Sequence, residues 1–391
     1  MMSHSFIIGT VSLAHIALAS LAVGFIVLAP ITEHMGRRNP VYLDVAYAMT
    51  RFTVITFTAS AVLALMMVEL FIGWFPLLNA WLFNQFRYPL FVAMAAFLLL
   101  LILLLPYYHF WHRLRAISVM LHIGMGATAA CLVLVWVGVL DGMGSYMLTP
   151  VKTDGLWAEV FNPTWIPLVI HRFFGNLLFA GFAMAGFAGW RLSWAHPEQD
   201  PSYYLALMKF GCGLGIGCLV IQPISGFVYA SHIQQSAPQA IDQLLDGFGQ
   251  AWLYLQFGLI AILFVCSHWI LRGLHSELRW SGVGKGLSLF LAILMVAFAT
   301  EPLPRRIITA MIVILTLRYL LAASRVFRSG QPPSLNQPFI RGLSMALGIT
   351  GLLTYLTMGT IRETVRGPSQ VPERITLEST ALLPHTTGND Q

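Results

Sequence analysis

Residues 162–190 read NPTWIPLVIHRFFGNLLFAGFAMAGFAGW. From Pro167 the run is apolar for long enough to cross a bilayer, which takes about 20 residues of helix. His171 stands about one helical turn in from that proline. An imidazole at membrane depth is costly unless it pairs, hydrogen-bonds or binds a metal, so His171 is a site candidate. The plain alternative is a histidine bonded to a neighbouring helix. The small residues Gly175, Ala180, Gly181, Ala183, Ala185 and Gly186 would let a partner helix or a flat macrocycle come close.

The rest of the chain is of the same kind. It is 57% hydrophobic and 10% charged over 391 residues, where a soluble domain carries about 25% charge. This is a membrane-protein composition, and length counts crossings rather than soluble domains. The net charge of +6 therefore reports topology before it reports any nucleic-acid partner, and none is expected. Nothing at the start has the form of a cleaved signal peptide. Cys131, Cys212, Cys218 and Cys266 all fall in apolar runs. None sits in C-x-x-C-H, so they read as packing thiols and not as covalent haem attachment points.

Ten apolar segments have spanning length, at about 5–30, 52–75, 88–108, 119–140, 166–190, 204–229, 251–271, 283–299, 306–324 and 340–360. The eighth and ninth are short and are separated by Thr300-Glu301-Pro302-Leu303-Pro304, a tight turn by its prolines. The expected fold is all-α: a polytopic transmembrane bundle over residues 1–366, followed by a polar tail over 367–391. With both termini outside, 14 of the Lys and Arg residues fall inside and 8 outside, the usual positive-inside bias.

His15, about ten residues into the first segment, lies roughly 15 Å down at 1.5 Å per residue. Met311 lies one to two turns into the ninth segment, at a depth similar to that of His171. A His and a Met at one depth on two helices would supply both axial ligands of a low-spin b-type haem. Tyr107, Tyr108, His109, Trp111 and His112 read as an interface belt without chemistry. His122 reads as interfacial or bonded to another helix. His268, beside Trp269 and Arg272, reads as snorkelling to the interface.

Several of these residues together resemble subunit I of the cytochrome bd-type quinol oxidases. LAHIALASL resembles the family's first-helix histidine segment. Trp111-x-Arg113-Leu114 resembles the end of its third helix, and Trp136 with Asp141-Gly142 the end of its fourth. Asn162-Pro163 ahead of His171 resembles the entry to its low-spin haem helix. Glu363-x-x-Arg366-x-Pro368 matches the pattern around its high-spin haem glutamate. The resemblance implies that His171 and Met311 hold a low-spin haem b. It makes His15 and Glu363 iron ligands of a high-spin pair, with Glu363 at the oxygen-reacting site. Arg366 and Arg172 would pair with haem propionates; for Arg172, anchoring among headgroups is the alternative. The number of haem b groups, and whether a third haem is d-like, stay open. The resemblance also implies a second bd-like membrane subunit, further respiratory subunits and a place in the bacterial inner membrane.

The departures from the family pattern are equally specific. Its two third-helix glutamates correspond to Val92 and Leu100, and an arginine before its methionine to Thr309. Its long quinol loop is replaced by a short stretch at about 230–250 and two further apolar segments, so a quinone site is left open. Aligning the seventh segment with the family's seventh helix would put Ile260 and Glu301 at the ligand positions, which loses a ligand. Three readings therefore stand. The first is a bd-like terminal oxidase subunit. The second is a non-oxidase haem b subunit passing electrons to or from a cytochrome c or other redox subunit. The third is a haem-free transporter or assembly protein. The balance leans to an oxidoreductase.

Overall fold

Runs of Leu, Ala and Phe leave no water for the backbone to bond, so each segment closes its own hydrogen bonds as a helix. The structure is a computed structural model and describes residues 4–149, 157, 159–194, 201–245, 247–273, 281–328 and 337–366. Side chains at 4, 5, 247, 248, 281, 282, 325–328 and 363–366 fall outside that description. The helices are α1 His4–Gly36, α2 Val41–Trp74, α3 Pro76–Gln85, α4 Arg87–His109, α5 Trp111–Ile117, α6 Val119–Tyr146 and α7 Trp165–Ser193. They continue as α8 Ser202–Ser236, α9 Pro238–Leu245, α10 Gly247–Gly273, α11 Ser281–Ala297, α12 Pro302–Arg328 and α13 Pro338–Arg366. Among the described residues nine are long and apolar enough to cross a membrane; α11, with 17 residues, is shorter.

Local chemistry sets many of the boundaries. Pro76, Pro302 and Pro338 each open a helix, where the missing N–H costs nothing. Ser118 separates α5 from α6 and caps the latter by accepting from the Leu121 amide at 3.2 Å. The turn expected around Pro302 is present between Ala297 and Pro302. Three short helices, α3, α5 and α9, carry no long apolar run and were not expected. α2 begins at Val41 rather than near 52, because the helix continues past the apolar stretch through Asp44 and Arg51.

The long helices form two groups. α1, α2, α4 and α6 pack together, and α7, α8, α10 and α13 form a second set. α1 reaches from the first set onto α7 and α13, while α6 also touches α7. At the α1–α7 crossing a Cβ on Gly24 would lie 2.6 Å from Ala180 Cβ and 2.7 Å from the Asn176 carbonyl oxygen. Only glycine fits there. α11 and α12 lie on the flank of α10, with α12 also touching α8. Their insertion separates two neighbouring ends. Gly273, closing α10, faces Ile340 near the start of α13, and Trp269 stacks on Phe339 with centroids 6.2 Å apart.

Candidate functional site

His15 projects from α1 toward α2. Its Nδ1 lies 2.9 Å from the Ser60 carbonyl oxygen and 3.0 Å from Ser60 Oγ. A carbonyl only accepts, so the network assigns the proton to Nδ1. The lone pair then sits on Nε2. His171, on α7, is fixed in the same way. Ser225 Oγ donates to the Gln222 carbonyl at 3.0 Å, so it accepts from His171 Nδ1 at 3.1 Å. Again Nε2 keeps the lone pair. This is the tautomer a metal-ligating histidine needs, with its other nitrogen held by a neighbour. Both histidines therefore fit haem iron by their donor chemistry.

Next to His171, Arg172 turns inward rather than into the headgroup layer. It pairs with Asp141 of α6, which is buried. It also faces the Tyr355 hydroxyl of α13, and that hydroxyl bonds Ser20 of α1. Tyr355 stacks on Phe179 with centroids 4.9 Å apart and the rings 14° from parallel. One polar centre thus ties α1, α6, α7 and α13 together. Beside it lies a cavity of about 200 Å³ lined in part by Asp141, Arg172 and Asn176. Among the described residues the buried Asn176 Oδ1 has no partner. The polar part of the cavity lining suits ordered water.

The entry to α7 is clamped to the end of α6. Asn162 Nδ2 donates to the Gly142 carbonyl at 2.9 Å, while Asn162 Oδ1 accepts from the Thr164 amide at 3.3 Å and the Thr164 hydroxyl at 3.1 Å. A Cβ on Gly142 would lie 2.5 Å from Val160 Cγ1. Trp165 Nε1 donates to the Gly138 carbonyl at 2.8 Å. The Asp141-Gly142 and Asn162-Pro163 signals are two halves of one clamp, which sets the level of His171 and Arg172.

Met311 is not brought to this centre. It is 49% exposed on α12, whose main neighbours are α8, α10 and α11. No contact among the described residues joins it to His171. Glu363 and Arg366 lie in the last turn of α13, and their side chains are outside the described residues.

Two further polar clusters differ from their sequence reading. His268 does not snorkel: it is fully buried, with Nδ1 2.8 Å from Ser288 Oγ of α11 and Nε2 2.6 Å from Thr316 Oγ1 of α12. The interface belt is also partly interior, since Tyr107 and Trp111 are buried. There they surround Glu33, a residue that sequence reading missed. Glu33 is 0% exposed and accepts from Arg115 at 2.6 Å, His122 Nδ1 at 2.8 Å and the Tyr107 hydroxyl at 3.0 Å. An acid closing the first apolar run, level with Arg115 and His122, was the available signal.

Comparison with known proteins bears on the family and the fold. The family model described as cytochrome bd terminal oxidase subunit I matches residues 5–244. A solved structure titled "The structure of bd oxidase from Geobacillus thermodenitrificans" is similar in fold, with a TM-score of 0.70 at 16% identity, covering 98% of this chain and 90% of that one. No curated protein matches the chain.

Proposed function

The chain belongs to the cytochrome bd terminal oxidase subunit I family, and from that premise we propose that it is the haem b-bearing membrane subunit of a respiratory oxidoreductase. It is a multi-pass membrane protein with a terminal-oxidase-like fold. The observation that carries the haem assignment is the matched pair of histidines. Each donates Nδ1–H to a neighbouring helix and keeps its Nε2 lone pair available.

In this reading His171 holds a low-spin haem b and His15 a high-spin haem. Bound haem supplies one-electron redox chemistry and, where a coordination position is open, reaction with oxygen. The chain supplies ligands, orientation and charge. Ser60 and Ser225 fix the rings, and the Asn162 clamp fixes the depth of α7. The Arg172–Asp141 pair places a guanidinium beside His171, with further donors left for a propionate. Glu363 as the second high-spin ligand, Arg366 as a propionate partner and Met311 as the second low-spin ligand rest on the family resemblance. For Met311 that assignment must contend with its half-exposed place on α12. A second membrane subunit and the bacterial inner membrane follow from the same resemblance, and both termini outside from the distribution of Lys and Arg.

Val92 and Leu100, where the family pattern carries acids, favour a second reading: a haem b subunit that passes electrons without reducing oxygen. A reduced-minus-oxidised spectrum of the purified protein, with and without carbon monoxide, separates the two. A carbon monoxide-sensitive high-spin component that His15→Ala removes supports an open iron at His15. A low-spin band with no response supports the electron-transfer reading. A protein without haem overturns both.

A further inference from the structure

The buried stripe of α2 is polar where a membrane helix ordinarily buries aliphatic side chains. From residue 50 to residue 60 its buried positions are Thr50, Thr53, Thr56, Phe57 and Ser60. Four of these five carry hydroxyls. They are spaced three or four residues apart, so successive ones are neighbours on one face, roughly 5–6 Å apart at Cβ. That face meets α1, the main packing partner of α2.

Both ends of the stripe are connected. At one end Ser60 Oγ lies 3.0 Å from His15 Nδ1. At the other, the Thr50 hydroxyl, which donates to the Ala46 carbonyl at 2.9 Å, faces the Tyr107 hydroxyl, which donates to Glu33 at 3.0 Å. Glu33 belongs to a cluster that carries exchangeable protons. His122 has Nδ1 2.8 Å from Glu33 and Nε2 3.1 Å from the Tyr107 carbonyl. Both partners accept only, so keeping both bonds needs a proton on each nitrogen. Arg115, 2.6 Å from Glu33, is 17% exposed and leads to the edge of the bundle. That end of the molecule carries Arg37, Arg38, Arg113 and Arg115, which the positive-inside rule assigns to the cytoplasmic face.

We propose that Glu33, His122, Tyr107, Thr50, Thr53, Thr56 and Ser60 form a proton path from the arginine-rich face to the His15 site. The path rests on the reading of His15 as a haem ligand. When an electron from the donor arrives at that site, a proton leaves the Glu33–His122 cluster and passes upward. Each hydroxyl takes a proton from below and releases its own above, with a water bridging each gap. The cluster then regains one proton from solvent through the Arg115 edge. The electron and one proton arrive together: a propionate of the bound haem would accept the proton, because His15 Nδ1 already carries one, and no group along α2 is left ionised. The path runs along α1 and α2 and does not use α4, the helix of Val92 and Leu100. The hydroxyls now donate to carbonyls in their own helix, as Thr53 does to Met49 and Thr56 to Phe52. Each must rotate off that bond to pass a proton.

The test reduces the full-length haem-loaded protein electrochemically, in weakly buffered solution containing a pH dye. The wild type is expected to take up protons as the carbon monoxide-sensitive haem is reduced. Thr53→Val and Thr56→Val, close in shape, are expected to slow that uptake at least tenfold with the haem spectrum unchanged, and Thr53→Ser and Thr56→Ser to restore it. Uptake at the wild-type rate in both valine variants, or none in the wild type, overturns the path. Absence of a carbon monoxide-sensitive haem overturns the His15 assignment instead. The water file is then read by radiolytic hydroxyl labelling of Met49 and Tyr107, which are 2% and 0% exposed and react only through internal water. Labelling of both supports the path, and protection of both overturns it.

Discussion

Ser60 holds the His15 ring with two atoms, and only one of them belongs to its side chain. Ser60→Ala therefore leaves the carbonyl bond to Nδ1 intact. The expected outcome is an unchanged haem spectrum, whereas His15→Ala removes the high-spin component. The Arg172–Asp141 pair behaves differently because its carboxylate is buried and its guanidinium only partly exposed. Asp141→Ala strands a guanidinium, at a cost of about 3–5 kcal/mol for breaking such a pair. Replacing both by apolar residues of similar size is expected to cost much less. Denaturation midpoints of the single and double variants in detergent check this, and equal losses would show that the pair's charge is not what matters. Isolated histidines in apolar runs are conspicuous in the sequence, which makes His15 and His171 candidates; it does not name their hydrogen-bonding neighbours. Glu33 meets His122 across 89 residues and Arg115 across 82. Hydropathy gives a residue's depth but not the direction it faces.

The helices themselves follow from the apolar runs, because a chain in lipid has few other ways to satisfy its backbone. What the runs do not encode is adjacency. Met311 and His171 share a depth, yet α12 packs outside α10 and away from α7. Adjacency is written in small residues instead, above all Gly24, where α1 crosses α7. Gly24→Val is expected to force these helices apart. The readout is loss of monodisperse protein on size-exclusion chromatography, with Gly9→Val, where a Cβ meets nothing within 4 Å, as the tolerated comparison. His268 joins α10, α11 and α12, but it is not indispensable to its partners. Ser288 still donates to the Gly284 carbonyl and Thr316 to the Ile312 carbonyl without it. His268→Leu is therefore expected to cost only about 1 kcal/mol, measured by thermal melting. A loss several times larger would mean that the imidazole organises the three helices.

At the scale of the whole molecule, the long helices form two sets joined through α1, and α11 and α12 lie in sequence between the adjacent ends of α10 and α13. That adjacency suggests a decisive variant, in which residues 274–336 are replaced by a short flexible linker. If Met311 is the second low-spin ligand, the shortened protein loses the low-spin band while keeping the high-spin one. If the band survives, the ligand lies elsewhere. The Ser20–Tyr355 bond carries a further consequence. Its partners are 335 residues apart, so at 5–20 residues per second roughly 20 s to a minute of synthesis separates them. Throughout that interval the face of α1 that will meet α13 waits in the membrane without it. The nascent chain thus has a period, closed only by its last helix, in which the ground around His15 and His171 lies open from the side. A prosthetic group too large to enter the finished protein would have to be delivered then, which makes the order of translation part of the assembly of the site.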